Sequence, residues 1–193
     1  MILQEKLASY NLILASNSPR RKQFLTDLGL TFTVKPANVN EEYPSQLQGK
    51  DIALYIAQQK ASVFINLSPN DLVITCDTIV WANEKALGKP ENKSEAQEML
   101  LLLSGKKHQV ISAVCIKSGE KEKLFFDETE VTFNNLNPLD IDYYIDTFQP
   151  FDKAGAYGIQ EWIGLVGIEK INGSYTNVVG MPMEKLYNEL INW

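Results

Sequence analysis

The sequence predicts an α/β protein with a mixed central sheet flanked by helices. Short apolar runs typical of strands alternate with amphipathic segments typical of helices over most of the 193 residues. Turn dipeptides beside strand-like runs, Ser118-Gly119 and Asn172-Gly173, indicate hairpins and therefore antiparallel pairs. Because a doubly wound Rossmann sheet is parallel, this interleaving favours a mixed sheet.

The elements follow in order from local patterns. Helix boundaries are marked by Ser18 as N-cap before Pro19, by Gly29 as a stop, by a Ser94/Gln97 capping box and by Pro138 at a first helical position. A turn is predicted at Asn83-Glu84. The predicted strands cover residues 12–15, 72–82, 110–117 and 123–133, and the predicted helices cover residues 19–28, 51–66, 94–103, 138–148 and 182–193.

Length and composition suit one globular domain over residues 1–193. Hydrophobic residues make up 45% and charged residues 22% of the chain, with no repeat, low-complexity tract or linker. No run approaches the roughly 18 apolar residues of a membrane span, and the polar start MILQEKLASY does not resemble a signal peptide. Cys76 and Cys115 lie in apolar runs, as buried free thiols of a reducing compartment do. We therefore expect a cytoplasmic protein without a membrane partner.

Charge and histidine content exclude several classes of function. A net charge of −6 argues against broad nucleic-acid binding, and a single-stranded nucleic-acid site would need aromatic and basic residues interleaved on one face. The single histidine, His108, cannot build a multi-histidine metal site. Because it opens a predicted strand, a structural role is favoured over a catalytic one. A polyanionic partner must therefore bind at a local site.

Two arginines occupy an unfavourable position in the first predicted helix. Arg20 and Arg21 lie in its first turn, where the helix dipole favours anions and a cation costs on the order of 0.3–1 kcal/mol. A phosphate group at this helix end would remove the penalty. Ser16 and Ser18 would add hydroxyl donors to such a site.

Lys60 lies in the middle of the apolar face of the helix predicted over residues 51–66. An ammonium group there must either reach solvent at the helix periphery or find an anion. A methionine at this position would suit the apolar face, so Lys60→Met is expected to preserve or raise stability.

Asp77 interrupts an otherwise apolar strand, LVITCDTIVWA. A carboxylate there must be paired, protonated or near a strand end that faces a cleft. Thr78 adds a second polar group where a core strand would need none. A further segment, FDKAGAYGIQ, combines small residues with Lys153, Tyr157 and Gln160, which allows close approach to a ligand but is also typical of an ordinary turn.

Several segments together resemble the Maf-like nucleotide pyrophosphatases, once described as septum-formation inhibitors. They are, in chain order, ASNSPRRKQFL, CDTIV, LGKP, LLSGKKHQV and DKAGAYGIQ, with SYTNVVGMPM near the end, so the likeness extends over residues 12–190. The resemblance implies a fold related to inosine triphosphate pyrophosphatases, with two lobes around a nucleotide cleft, a homodimer and a divalent metal. It also implies cleavage of nucleoside triphosphates between the α and β phosphates.

Residue by residue, the resemblance assigns catalytic and substrate-binding positions. The catalytic set is Asp77, Lys60, Glu41 and Lys89, and the substrate-binding set is Ser16, Ser18, Arg20, Arg21, Thr78 and Gln160. Mg²⁺ or Mn²⁺ would be held by Asp77 and Glu41 together with phosphate oxygens. Glu42 competes with Glu41, because NVNEEY leaves the register open by one residue, and Asp77 could serve as metal ligand or as general base.

The form AGAYGIQ is similar to the family branch that acts on dTTP and UTP. Thr78 and Gln160 can both donate and accept hydrogen bonds, which suits a pyrimidine edge. The chain departs from the family at Glu161-Trp162, where the family usually has glycine, and this leaves fine selectivity open. The alternatives are a pyrophosphatase for 7-methyl-GTP or another modified nucleotide, and a nucleotide-binding regulator of cell division without turnover.

Overall fold

Seven strands form one mixed sheet, as predicted, in the order β2-β1-β3-β5-β6-β7, with β4 paired to β3. The computed structural model describes residues 2–193. β1 pairs in parallel with β2 and β3, whereas β3 pairs with β4, and β6 with β7, in antiparallel. The strands are β1 (Asn11–Leu14), β2 (Thr33–Val34), β3 (Asp71–Ala82), β4 (Lys85–Leu87), β5 (Lys107–Lys117), β6 (Glu122–Phe133) and β7 (Ile168–Asn172).

Helices flank this sheet, and they begin where the chain offers a cap. Ser18 caps α2 with Pro19 in its first turn, and Asn137 caps α5 with Pro138 in the same position, both through side-chain acceptors. The helices are α1 (Ile2–Leu7), α2 (Pro19–Asp27), α3 (Lys50–Ser62), α4 (Lys93–Leu103), α5 (Pro138–Phe148), α6 (Trp162–Val166), α7 (Tyr175–Val179) and α8 (Met183–Ile191), with a 3-10 turn at Ala154–Ala156.

Contacts divide the chain into two compact units. The first unit comprises residues up to Asp77, Ser112–Asp127 and Gly180–Trp193, and the second comprises Thr78–Ile111 and Glu128–Val179. The chain passes from one unit to the other within β3, β5 and β6. Two lobes are therefore present as predicted, whereas the nucleotide cleft stays a prediction.

The core of the first unit lies along β1 and β3. Leu12 is in register with Leu72 and Leu14 with Ile74, and all four side chains are buried. α1 and α8 pack together, and they add Leu3, Leu7, Leu186 and Leu190 to the same cluster. Since α1 was not among the predicted helices, its two buried leucines are a contribution to this core that the sequence pattern did not reveal.

The second unit packs α4 against α5 and against the 3-10 turn. Gly155 in that turn has φ +68°, and an added Cβ would lie 2.8 Å from a methyl carbon of Val80. His108, Phe133 and Tyr157 pack edge to face, with ring centroids 4.9–5.5 Å apart. The backbone of the segment DKAGAYGIQ therefore approaches β3 more closely than a side chain at Gly155 would allow.

Two of the differences between the predicted and observed boundaries have a clear physical cause. α3 ends at Ser62 instead of residue 66, because tight turns after it let Phe64 and Leu67 pack against β1 and β3. The Ser94/Gln97 capping box is wrong. Asn92 caps α4 by accepting from the N–H of Glu95, since asparagine is a strong N-cap residue two positions upstream of Ser94.

The hairpin predicted at Asn172-Gly173 is also wrong, because β7 leads directly into α7. Ser174 supplies the start of that helix, with its hydroxyl accepting from the N–H of Asn177 at 3.3 Å. Gly173 is required for another reason. It has φ +134°, and an added Cβ would lie 2.7 Å from the hydroxyl of Thr129. A helix-capping serine thus overrides the Asn-Gly turn signal.

Within residues 2–193, no helix is both long enough and apolar enough to cross a bilayer.

The turn between β3 and β4 generates a stability prediction. Asn83 and Glu84 have φ +49° and +59°, the left-handed pair of a type I′ hairpin turn, for which Asn-Gly is preferred. Glu84→Gly should therefore raise the free energy of unfolding by about 0.5–1 kcal/mol, measured by urea denaturation. Glu120→Gly, in the β5–β6 turn at a residue without positive φ, is the matched control and should stabilise nothing. Equal effects at both positions would contradict the strain argument.

Candidate active site

Lys60 and Asp77 form a buried ion pair in the first unit. Lys60 Nζ lies 2.7 Å from Asp77 Oδ1, and the two residues are 8% and 6% exposed. The Thr75 hydroxyl donates to the Ala57 carbonyl at 2.6 Å, which fastens α3 to β3 one turn before Lys60. The structure therefore shows that Asp77 is ion-paired and that Lys60 contacts an anion instead of extending to solvent.

Glu41 is the second anion beside this lysine. It extends from the irregular segment before α3 and places Oε1 2.8 Å from Lys60 Nζ, with its side chain 46% exposed. Its neighbour Glu42 uses its backbone N–H to bind the Asn40 side chain. The contact thus involves Glu41 of the adjacent pair, and it gathers two carboxylates around one ammonium group.

The surroundings keep Lys60 charged. Burial alone would lower the pKa of Lys60, but the attraction of Asp77 and Glu41, with their hydrogen bonds, outweighs it and raises the pKa above its ordinary value of 10.5. The lysine is therefore an ammonium group at neutral pH. Two carboxylates and one ammonium leave a single net negative charge at this position.

Arg21 binds backbone carbonyls next to the ion pair. Its Nε donates to Gly180 O at 3.0 Å, and its Nη1 donates to Cys76 O at 2.7 Å. The β1 ladder ends where Ala15 N–H donates to Ile74 O. Since carbonyls alternate along a strand, Cys76 O is the next acceptor on that edge. Arg21 thus continues the hydrogen bonding of the sheet edge with a side chain, immediately before Asp77.

Side-chain hydrogen bonds connect Ser16 and Ser18, at the predicted phosphate site, to the start of α2. Ser16 is buried, and its hydroxyl oxygen lies 3.3 Å from Arg21 Nη1 and accepts from the N–H of Ser18 at 3.2 Å. Ser18 caps α2 by accepting from the N–H of Arg21. Arg20 is half-buried in the same first turn. A binding role for these residues stays a prediction, and Arg21 has a structural role that the sequence did not reveal.

The remaining predicted site residues belong to the second unit. Thr78 directly follows Asp77 on β3 and is half-buried. Lys89 lies just beyond β4 and is exposed, and Gln160 is exposed before α6. The structure thus brings Glu41 and Asp77 to the same ammonium group of Lys60, and it brings Ser16, Ser18 and Arg21 into a second group, within the first unit.

Comparison with known proteins identifies the family. A family model described as Maf-like protein matches residues 11–193. The chain belongs to the Maf-like protein family.

Curated Maf-like relatives match almost end to end. A protein of Bacteroides fragilis is 53% identical over 95% of this chain and 96% of its own, and one of Flavobacterium psychrophilum is 48% identical over 99% and 98%. Both are named dTTP/UTP pyrophosphatase. Among solved structures, a HAM1 protein from Coxiella burnetii is 14% identical with a TM-score of 0.52, covering 95% of this chain and 100% of that one. This last likeness shows the fold alone.

The carboxylates of this Maf-like chain suit a metal shared with a phosphate ligand. Within residues 2–193, no three histidine, cysteine, aspartate or glutamate side chains lie together as a metal cluster. Magnesium, however, is commonly held by one or two carboxylates plus substrate phosphates. Asp77 and Glu41 meet that smaller requirement, since both reach the same ammonium nitrogen.

His108 and the cysteines are structural, as the sequence predicts. His108 Nε2 lies 2.8 Å from the Tyr157 hydroxyl, and burial lowers its pKa to about 4. Cys76 and Cys115 are buried free thiols, and burial raises the pKa of Cys115 to about 12.

Sequence reasoning missed a polar cluster in the second unit that comprises Tyr144, Asp152, Lys153 and Glu161. Lys153 Nζ lies 2.6 Å from Asp152 Oδ1 and 2.9 Å from Glu161 Oε1, and Tyr144 donates to Glu161 Oε2. The available signal was Glu161 itself, which stands where the resemblance leads one to expect glycine.

The buried ion pair reverses the expectation that Lys60→Met preserves or raises stability. Lys60→Met leaves Asp77 buried without its ammonium partner, so it should lower the free energy of unfolding by about 3–5 kcal/mol instead of preserving it. Urea denaturation measures the change. In the double variant Lys60→Met/Asp77→Asn the uncompensated charge is gone, and part of the loss should be recovered. A single variant as stable as wild type would show that the pair does not constrain the fold.

Proposed function

We propose that this chain is a nucleoside triphosphate pyrophosphatase that hydrolyses dTTP and UTP to the nucleoside monophosphate and pyrophosphate. The relatives named dTTP/UTP pyrophosphatase support it, because they share about half of their residues with this chain over nearly its full length. The observation that carries the mechanism is the contact of Lys60 with both Asp77 and Glu41. We further propose a single cytoplasmic domain over residues 1–193, active as a homodimer.

Lys60 supplies positive charge to the phosphates. Its ammonium carries three donors and accepts no proton at neutral pH. Two of these donors are directed to Asp77 and Glu41, at 2.7 and 2.8 Å, which leaves one for a phosphate oxygen. Burial strengthens the attraction, because water screens it little. Arg20 and Lys89 would add further charge against the pyrophosphate leaving group.

Asp77 is the proposed general base. Its Oδ1 is held by Lys60, so the orientation of the carboxylate is fixed and Oδ2 is the oxygen to take a proton from the attacking water. In its alternative role Asp77 would hold a divalent cation together with Glu41 and the phosphates, and that cation would supply Lewis acidity and charge neutralisation. Simple phosphate binding needs cations alone, so the presence of two carboxylates beside Lys60 favours hydrolysis over a binding role without turnover.

The first test measures how much the proposed general base, Asp77, and each of the two adjacent glutamates contribute to hydrolysis. Asp77→Asn keeps the shape of the side chain but loses its basicity, so pyrophosphate release from dTTP with Mg²⁺ should fall by about 10²–10⁴-fold. Glu41→Gln should reduce release at least roughly tenfold. Glu42→Gln, one residue along, is the matched control and should resemble wild type. Release by Asp77→Asn at the wild-type rate would contradict the assignment, and equal losses at both glutamates would contradict the contact as its cause.

The second test concerns selectivity for the nucleotide's pyrimidine base. A pyrimidine dione presents an acceptor, a donor and an acceptor, which an amide such as Gln160 and a hydroxyl such as Thr78 can match in part. A wrong base would leave such groups unpaired, so kcat/KM should be about tenfold to a hundredfold higher for dTTP and UTP than for GTP and 7-methyl-GTP. Steady-state kinetics over these nucleotides and CTP measure the ranking. A purine nucleotide at the top would overturn the specificity and leave the pyrophosphatase chemistry standing.

A further inference from the structure

Gln160 is carried by a tight turn in the second unit. The N–H of Glu161 donates to Gly158 O at 3.0 Å, which closes a four-residue turn with Ile159 and Gln160 at its centre. Ile159 is buried and Gln160 is exposed. The backbone of this turn therefore sets the position from which the Gln160 side chain extends.

One hydroxyl group holds both ends of the turn. Tyr144, which is fully buried on α5, accepts from the N–H of Gly158 at 3.0 Å and donates to Glu161 Oε2. Burial, followed by the hydrogen bond and charge of Glu161, raises the pKa of Tyr144. The phenol is thus protonated across the physiological range and serves as donor and acceptor at once.

Lys153 fixes the other oxygen of the same carboxylate. Its side chain is 9% exposed and its Nζ lies 2.9 Å from Glu161 Oε1. The Glu161 carboxylate is therefore bound at both oxygens. The cluster also packs against the turn itself, since a Cβ added to Gly158 would lie 2.9 Å from the Glu161 carboxylate and 3.0 Å from Lys153 Cε.

Stability alone is a poor explanation for this arrangement. The Lys153–Glu161 ion pair is partly buried, with side chains 9% and 24% exposed, and such a pair gains little over apolar residues of the same size, because withdrawing the charges from water offsets their attraction. Apolar contact between α5 and α6 is already provided by Tyr143 and Trp162, whose rings lie 5.2 Å apart edge to face. What the hydrogen bonds add is directional, since they fix the two ends of one turn.

We propose that Tyr144, Lys153 and Glu161 are positioning residues that hold the Gly158–Glu161 turn and so determine nucleotide-base selectivity through Gln160. The inference rests on the proposed function, in which Gln160 contacts the base. None of the three needs to touch the nucleotide. Their effect is to hold the backbone that carries Gln160 in one conformation before the ligand arrives, which reduces the ordering that binding requires.

The experiment compares Tyr144→Phe, Gln160→Ala and the double variant. Dissociation constants for dTTP and GTP are measured by calorimetry with EDTA present, which separates base recognition from hydrolysis. Tyr144→Phe removes one oxygen and should weaken dTTP binding by about tenfold while changing GTP binding little. In the double variant the second substitution should add almost nothing, because Tyr144 acts through Gln160. With Mg²⁺, the loss should appear in KM and not in kcat.

Tyr143→Phe is the matched control, since this neighbouring tyrosine is half exposed and contacts Trp162 through its ring. It should bind both nucleotides as wild type does. Equal losses for dTTP and GTP in Tyr144→Phe, or losses that add to those of Gln160→Ala, would overturn the inference in favour of a purely structural role. Glu161→Gln provides the same comparison if Tyr144→Phe does not fold.

The same data distinguish the two proposals. A wild-type protein that binds dTTP selectively but releases no pyrophosphate would contradict the proposed function and leave the positioning network intact. A wild-type protein that releases pyrophosphate but binds dTTP and GTP equally would overturn the positioning network together with the proposed base contacts, and it would leave the pyrophosphatase chemistry standing.

Discussion

A charged side chain is costly to bury unless an opposite charge lies beside it. The Lys60–Asp77 pair meets this requirement, and it therefore constrains how α3 and β3 align. A shift of one residue along the strand would turn Asp77 to the other face of the sheet. A shift of one residue along the helix would rotate Lys60 by about 100°. The hydrogen bond from Thr75 to the Ala57 carbonyl and the apolar packing on both sides fix the alignment. Much of the first unit is therefore arranged around one contact of 2.7 Å.

The sequence reveals such positions but not their partners. Lys60 and Asp77 are visible as anomalies because each breaks a local period, a lysine on an apolar face and a carboxylate within a buried strand. Their pairing depends on how a helix packs on a sheet, which no local pattern encodes. Glu41 shows the limit more sharply, since it comes from a segment without periodicity, and only the family resemblance indicated it. The contact itself distinguished it from Glu42.

Elements with local causes were predicted well, and those with competing causes were not. The start of α2 depends on one cap, Ser18, and one proline, Pro19, so two residues suffice to predict it. At α4 two caps compete within three residues, and Asn92 prevails over Ser94. At Asn172-Gly173 a turn signal competes with the serine that starts α7. The helix α1 is a third case. Its two buried leucines belong to a core that forms only when α1 packs against α8, so the local sequence does not reveal them.

Arg21 has a consequence for access to the sheet. A strand edge left open exposes unpaired carbonyls, and proteins ordinarily cover it with another strand or a loop. Here the Arg21 guanidinium group donates a hydrogen bond to Cys76 O, just beyond the point where β1 stops. The carbonyl at this edge is therefore bonded by a side chain and not by another strand's backbone. A further strand residue would bring its own side chain and a second row of peptide groups beside Asp77. The arginine instead satisfies one acceptor, Cys76 O, with side-chain atoms, so the strand edge beside Asp77 is completed without a further strand.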